Sequence, residues 1–254
     1  MQRRNFLAAL GAVGMTQAAN PDSKTIRFYS VEQYKLKSGT QGPRLHEFFS
    51  QSMLPTLNKI HSGPKIFLNA EISLHMPQAA LIVGFSSLEE MGNVRAKMYS
   101  DEGLAKKWAS LEAGFPIFET LDSAVLQAAD YSSEITPSAS DAPPRLFEMR
   151  VYHAPTGRHL QGLHERFMGG EIGVFHRAGI HPVLYSSTII GPDQPNLVYL
   201  IPFADLASRE KAWSAFAADA EWAKIRKESN EKYGAIPDVI QMSLWRATAY
   251  SPVR

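Results

Sequence analysis

Two closely similar segments occur in this sequence, and the repeat that they define constrains the fold more than any other feature. Residues 45–49 (LHEFF) return 118 positions later as residues 163–167 (LHERF). Near the ends of the repeat, a shift of 119 relates Tyr131 to Tyr250. The shift of 118 also relates Pro64 to Pro182, Phe85 to Phe203 and Asp101 to Asp219. Such a steady register predicts two copies of one structural unit.

The repeat divides the chain of 254 residues into two units of ordinary domain size. We assign the first unit to residues 25–129 and the second unit to residues 145–249. Between them, residues 130–144 are rich in Ser and Pro and lack hydrophobic periodicity, so they are predicted to form a linker. Each unit is long enough to bury a hydrophobic core of its own.

The overall composition excludes several functional classes. Hydrophobic residues make up 44% of the chain and charged residues 20%, as is typical of a globular protein. The formal net charge is only +1, without the clustered basic face that nucleic-acid binding needs, so we expect no nucleic-acid partner. The absence of cysteine excludes disulfides, thiolate catalysis and iron–sulfur ligation.

Residues 1–19 have the organisation of an export signal. Arg3 and Arg4 precede an apolar run at residues 7–15, and small residues follow up to Ala18 and Ala19. The apolar run is shorter than the roughly 20 residues that a transmembrane helix needs, so we expect no stable membrane span. The paired arginines resemble a twin-arginine signal; an ordinary secretory signal and a retained amphipathic tail are the alternatives. We predict export to the periplasm, with cleavage near Ala18/Ala19.

The hydrophobic pattern predicts the order β-α-β-β-α-β in each unit, which is the ferredoxin-like arrangement of the α+β class. Strands are predicted at residues 26–36, 65–73, 79–85 and 117–127, and again at residues 145–153, 183–190, 197–203 and 236–248. The first helix of each unit is predicted to be interrupted at one common place, because Gly173 aligns with the helix-breaking Pro55.

Three segments of the second unit resemble the NIPSNAP family, and with it the dimeric α/β-barrel superfamily. They are Glu148-Met149-Arg150-Val151-Tyr152, the buried run NLVYLIPF at residues 196–203, and Trp213 with DAEW at residues 219–222. Ala220 stands where the family has proline. The first unit is a diverged copy, in which only Glu32 of the opening motif is retained and Tyr34 stands at the position of the arginine.

The resemblance implies a four-stranded antiparallel sheet in each unit, helices on one face, and two sheets packed into a barrel. In many relatives two chains build that barrel. Because this chain carries both halves, we expect a self-contained pseudo-dimer, and further association into homo-oligomers stays open. In relatives that are enzymes, the pocket between sheet and helices holds the substrate or heme.

The two repeated histidines are the candidate catalytic residues. His164 shares the apolar face of its helix with Leu160, Leu163 and Phe167, and His46 borders the equivalent face of the first unit. A histidine in a pocket between helix and sheet could act as a base or bind a ligand. The alternative is a core histidine that is satisfied by a hydrogen bond.

The strand that opens the second unit supplies the other candidate ligand-binding residues, Glu148, Arg150 and Tyr152, beside His164. Side chains alternate along a strand, so these three lie on one face while Phe147, Met149 and Val151 lie on the other. We expect the apolar face to contact the helices and the Glu148–Arg150 pair to point into the barrel. There it would bind a polar ligand or fix the register of the two sheets.

The sequence contains no motif for a metal or a cofactor, and we expect neither. The His-Glu pairs do not continue as His-Glu-x-x-His, because Ser50 and Met168 occupy the final positions.

Three functional hypotheses remain. The first is an exported NIPSNAP-like protein that binds a small apolar or amphipathic molecule in a pocket between sheet and helices. The second is a cofactor-independent oxygenase or isomerase with His164 or His46 as the base. The third is a structural or assembly module without a pocket. The fold by itself does not choose among them.

Overall fold

A computed structural model describes residues 25–254 of the chain. The predicted export signal at residues 1–19 lies outside these residues. In each unit the observed order contains the predicted β-α-β-β-α-β elements, with each helical region divided into two helices.

The first unit contains four strands and four helices. In chain order they are β1 (Phe28–Lys35), α1 (Gln41–Phe48), α2 (Leu54–Ile60), β2 (Lys65–Ile72), β3 (Gln78–Phe85), α3 (Leu88–Ser100), α4 (Glu102–Glu112) and β4 (Thr120–Ala128). The second unit repeats this order with β5 (Leu146–His153), α5 (Gly157–Arg166), α6 (Ile172–Ala178), β6 (Leu184–Ile190), β7 (Asn196–Phe203), α7 (Leu206–Ala218), α8 (Ala220–Tyr233) and β8 (Val239–Ala247).

The eight strands form one closed antiparallel barrel in the order β1-β3-β2-β8-β5-β7-β6-β4. Within each unit the first strand lies between the third and the fourth, as the ferredoxin-like order requires. The two units join edge to edge, through β2 with β8 and through β4 with β6. This confirms the predicted α+β pseudo-dimeric barrel. Closure pairs the edges that each sheet alone would leave open.

Three hydrophobic clusters hold the barrel and its helices together. One fills the barrel interior, and one lies between sheet and helices in each unit. The central strands therefore contact apolar groups on both faces, and every residue of β3 is buried. This explains why the sequences of β3 and β7 are continuous apolar runs.

Short polar side chains determine where the later helices begin. Ser87 accepts a hydrogen bond from the backbone N–H of Glu90 at the start of α3. Asp205 does the same for Ser208 at the start of α7. Each of these acceptors satisfies a backbone donor that the first turn of a helix leaves unpaired.

The predicted interruption of the first helix is present in both units as a π-helical turn. These turns are π1 (Phe49–Met53) between α1 and α2, and π2 (Phe167–Glu171) between α5 and α6. They are related by the same shift of 118. Helical structure continues beyond each turn, so Pro55 and Gly173 follow the irregularity and do not end the helix.

The strand pairing corrects the predicted alignment of the opening motif. Tyr34 lies opposite Ala79 in the first unit, and Tyr152 lies opposite Leu197 at the same point of the second. Tyr34 is therefore the counterpart of Tyr152, not of Arg150. Glu32 occupies the position of Arg150. The sequence alignment failed because it matched the two glutamates instead of keeping the shift of the repeat.

The two units contact each other through a crossed pair of hydrogen bonds, which we call the His–Tyr latches. The ring Nδ1 of His46 lies 2.6 Å from the hydroxyl of Tyr250, which follows β8. The ring Nδ1 of His164 lies 2.7 Å from the hydroxyl of Tyr131, which follows β4. Each unit thus sends the segment after its last strand to the first helix of the other unit.

Two further hydrogen bonds, each from a backbone N–H to a serine hydroxyl, connect the two units in the same crossed way. The hydroxyl of Ser132 accepts from the backbone N–H of Tyr185, and the hydroxyl of Ser251 accepts from that of Phe67. We call residues 131–135 and 250–253, which follow β4 and β8, the crossing segments. Each contributes one apolar residue to the barrel interior, Ile135 in the first and Val253 in the second. They close one end of the barrel.

We predict that each latch stabilises the joined barrel. Replacing Tyr131 or Tyr250 with Phe removes the hydroxyl partner of a half-buried imidazole, which should lower the free energy of unfolding by about 1–2 kcal/mol. Urea denaturation measures this change. Tyr99→Phe, at a side chain that is 76% exposed, should change stability by less than about 0.5 kcal/mol. Equal values for all three variants would contradict the latch.

Candidate functional site

The structure reverses the predicted orientation of the strand that opens the second unit. Phe147 and Met149 belong to the cluster inside the barrel, whereas Glu148 contacts helix α7. Arg150 likewise contacts α7. The expectation that Glu148 and Arg150 point into the barrel is wrong, because the interior is mainly apolar. A strand that is buried on both faces shows two alternating faces in its sequence, but the alternation does not identify the inner one.

Glu148 is completely buried, and its carboxylate accepts hydrogen bonds from three side chains. Nε of Arg150 and Nε of Arg209 lie 2.5 Å and 2.7 Å from its two oxygens. The indole N–H of Trp213 donates to the same carboxylate at 2.9 Å. These donors compensate the loss of water around the charge. The result ties β5 to α7.

Arg150 and Tyr152 continue this contact. The guanidinium of Arg150 lies 3.7 Å from the centre of the Trp213 ring. It also donates to the hydroxyl of Tyr152 at 3.3 Å. Their partners are thus other side chains of the second unit. The predicted ligand-binding residues on β5 form a packed layer between sheet and helix.

A second buried charge pair joins the end of α5 to the end of π2 in the second unit. Nε of Arg166 donates to Glu171 at 2.9 Å, and both side chains are almost fully buried. Burial raises the pKa of the Glu171 carboxyl, although Arg166 opposes the change. Burial also raises the pKa values of the nearby phenols of Tyr185 and Tyr199.

The first unit replaces this polar group with apolar residues. The shift of 118 relates Arg166, Glu171, Tyr185 and Tyr199 to Phe48, Met53, Phe67 and Leu81. The sequence analysis did not identify the group. A position-by-position comparison of the two copies would have found it, because the differences concentrate at core positions.

His164 is brought to the interface of the two units, not to an open pocket. Its Nδ1 contacts the hydroxyl of Tyr131, and its Nε2 lies 3.0 Å from the hydroxyl of Ser187. Burial lowers the pKa of the ring, which favours neutral imidazole. The structure therefore places it in the setting of a satisfied core histidine.

His46 has the equivalent environment in the first unit. Burial lowers its pKa, and a hydrogen bond with Asn69 partly offsets that effect. Asn69 is the counterpart of Ser187 by the shift of 118. The two histidines thus retain the same contacts in both copies, unlike the charged residues of the layer.

A large cavity lies inside the barrel, at the end opposite the crossing segments. Its volume is about 600 Å3, which suits a small organic ligand. Residues of β1 and β3 to β8 line it, together with the β2–β3 and β6–β7 loops. We call this end of the barrel the mouth.

The walls of this cavity change from apolar to polar towards the mouth. The apolar part is formed by Val31, Leu126, Met149, Val151, Val198 and Trp245. The indole N–H of Trp245 donates to Ser243 at 2.7 Å, so its ring is fixed. Gln33, Gln78 and Gln241 provide amide groups closer to the opening, whereas the amide of Asn196 bonds to the backbone of Thr188 and Asp193. The cavity therefore combines apolar surface with neutral hydrogen-bonding groups.

One ion pair lies at the mouth itself. Nζ of Lys35 is 2.6 Å from the carboxylate of Asp122, and both side chains are partly exposed. Several large apolar side chains are exposed at the same end of the barrel; they are Ile72, Leu74, Met76, Val239, Ile240 and Met242. Sequence analysis missed the cavity, because the lining residues come from strands that are adjacent only in the closed barrel.

Two negative findings apply to residues 25–254. No helix there is both long and apolar enough to cross a bilayer. In the same part of the chain, no cluster of three or more His, Asp or Glu side chains could hold a metal ion.

Sequence comparison relates the second unit to a known family. The sequence model of the NIPSNAP family matches residues 147–252. A comparison with curated proteins finds no match.

Solved structures share the fold of the whole chain at low sequence identity. An anthrone oxidase-like protein superposes with a TM-score of 0.54 and 10% identity, covering 88% of this chain and 92% of its own. A candidate monooxygenase from Fusobacterium nucleatum gives a TM-score of 0.55 and 9% identity, covering 87% and 92%. A NIPSNAP family protein of unknown function from Agrobacterium tumefaciens matches 43% of this chain and 95% of its own, with 18% identity and a TM-score of 0.37. The first two similarities establish a dimeric α/β-barrel fold.

We predict that the Glu148 carboxylate is essential for stability. Glu148→Gln removes the charge of a fully buried carboxylate that two partly buried arginines share, which should cost about 3–5 kcal/mol of unfolding free energy. Glu32→Gln in the first unit is the control, since its partner Arg95 is 45% exposed and the amide oxygen can still accept from Tyr34, so the expected loss is below about 1 kcal/mol. Chemical denaturation of both variants measures the difference. Similar losses would show that the buried cluster has no special role.

Proposed function

Because the NIPSNAP family model matches residues 147–252 and the two units close one barrel, we propose that this protein binds a small apolar or amphipathic molecule at the barrel mouth. The proposal keeps the predicted ligand class and moves the site from the sheet–helix layer to the barrel interior. The supporting observation is the cavity of about 600 Å3.

The chemistry of the walls supports an elongated ligand with one polar end. Met149, Val198 and Trp245 offer apolar contacts at depth, where burial of each methylene group contributes about 0.8 kcal/mol. Gln33 and Gln241 lie nearer the opening, where their amide groups suit a hydrogen-bonding head group. Lys35 provides a cation at the rim.

Export is part of the same proposal. Arg3 and Arg4, the short apolar run and the small residues up to Ala19 support a twin-arginine signal that delivers the protein to the periplasm. That route carries folded proteins, which suits a barrel closed by two distant units.

The oxygenase or isomerase hypothesis has weaker support. An anthrone oxidase-like protein and a candidate monooxygenase share the fold. However, His164 uses both ring nitrogens in hydrogen bonds, and the Nδ1 of His46 contacts Tyr250. A base in such a packed setting lacks a position for substrate.

The proposal predicts that filling the cavity prevents binding. Val151→Phe adds an aromatic ring at the cavity wall and should weaken binding of dodecanoate at least about tenfold, because the ring occupies the ligand volume. Native mass spectrometry of protein exported from a bacterial host measures the bound fraction. Its intact mass also reports whether cleavage occurs near Ala18/Ala19.

Leu206→Phe is the control, since Leu206 is 47% exposed on α7, outside the barrel. It should bind dodecanoate as the unmodified protein does. Failure of the unmodified protein to bind dodecanoate or dodecanol would exclude the proposed ligand class. Equal binding by both variants would exclude the cavity as the site.

A further inference from the structure

Half of strand β8 presents an open edge at the barrel mouth. On the β5 side, pairing extends from Val239 to Arg246. On the β2 side, the pairing described within residues 25–254 begins only at Leu244, opposite Ile72. In this part of the chain, the backbone groups of residues 239–243 that point away from β5 therefore have no neighbouring strand.

The open edge is apolar and uncharged. Val239, Ile240 and Met242 are exposed, and Gln241 separates the last two. Ile72, Leu74 and Met76 add exposed apolar surface from β2 and the following loop. Uncharged apolar edges are the ones that native proteins usually protect, because they pair readily with another strand.

The two units also meet where β4 pairs with β6, and this second junction can be compared with the one between β2 and β8. Strand β4 also extends beyond its pairing with β6, which ends at Val125 and Ile190. The shift of 119 relates Gln241 to Asp122, a charged residue that forms an ion pair with Lys35. A charge on an edge strand opposes pairing with another chain.

The apolar side chains also differ between the joints. The shifts of the repeat relate Leu74, Met76, Val239 and Met242 to Pro192, Gln194, Thr120 and Ser123. The common architecture therefore does not require these four apolar residues, which are specific to the β8 edge. Ile72 and Ile240 instead have exposed apolar counterparts, Ile190 and Leu121.

We propose that the β8 edge is an interaction surface for a second copy of this chain, which adds its own residues 239–243 as an antiparallel strand. A twofold axis through Gln241 places Ile240 of one copy opposite Met242 of the other and the two Gln241 amides side by side. Apolar groups then meet apolar groups, and no like charges face each other.

The unpaired backbone argues for a strand as the partner and against a lipid surface. The N–H of Val239 donates to the side chain of Asp238. In a hydrocarbon environment, the N–H and C=O groups of residues 240–243 that point away from β5 would lose water without gaining hydrogen bonds. An antiparallel strand supplies those hydrogen bonds and covers Ile240 and Met242. The pairing would also place the second copy beside the opening of the cavity.

Sedimentation velocity of the full chain tests the proposal. The unmodified protein should form a dimer at micromolar to submillimolar concentration. Gln241→Asp places two carboxylates together at the axis and should raise the dimer dissociation constant at least about tenfold. Asp122→Asn, at the equivalent position of β4, should leave it unchanged. A monomeric unmodified protein, or equal association by Gln241→Asp, would overturn the proposal.

A cysteine at the axis tests the geometry. The chain has no cysteine, so Gln241→Cys introduces a single thiol, which should form an intermolecular disulfide under mild oxidation. Asp122→Cys should remain reduced under the same conditions. Monomeric protein that floats with phosphatidylcholine vesicles would instead assign the apolar surface to lipid and reject the strand pairing.

Discussion

Closure of the barrel is the constraint on which the rest of this structure depends. Each ferredoxin-like sheet has two edges, and both are paired only because the second unit supplies the partner strands in the same chain. The two joints are made by β2 with β8 and by β4 with β6. The His–Tyr latches reinforce these joints from outside, since each one connects the end of one unit to the first helix of the other.

The two units share one backbone arrangement but differ in the side chains that lie between sheet and helices. In the first unit, mainly apolar side chains fill the layer between sheet and helices, beside a hydrogen bond from Tyr34 to Glu32. The second unit contains the Glu148 cluster and the Arg166–Glu171 pair in the equivalent layer. Buried charges of this kind need several well-placed donors, and the donors of Glu148 tie β5 to α7. The proposed ligand site lies elsewhere, inside the barrel that both units build.

The sequence predicted the architecture well and the site poorly, for one physical reason. Strand order, the π-helical interruption and the pseudo-dimer follow from local patterns and from the repeat. The inner face of a strand such as β5 depends on what the opposite side of the barrel offers, and alternation of Phe147 and Glu148 is equally compatible with both orientations. The cavity likewise joins Met149 to Leu126 and Val198, which no local pattern brings together. The polar group around Glu171 was visible only by comparing the two copies.

We propose that the mouth of a barrel closed within one chain holds a small amphipathic molecule, and a crystal structure of the protein grown with dodecanoate would reveal where it binds. We expect an elongated density against Met149 and Trp245, with its polar end near Gln33 and Lys35. Density between sheet and helices beside His164, with an empty barrel, would contradict it.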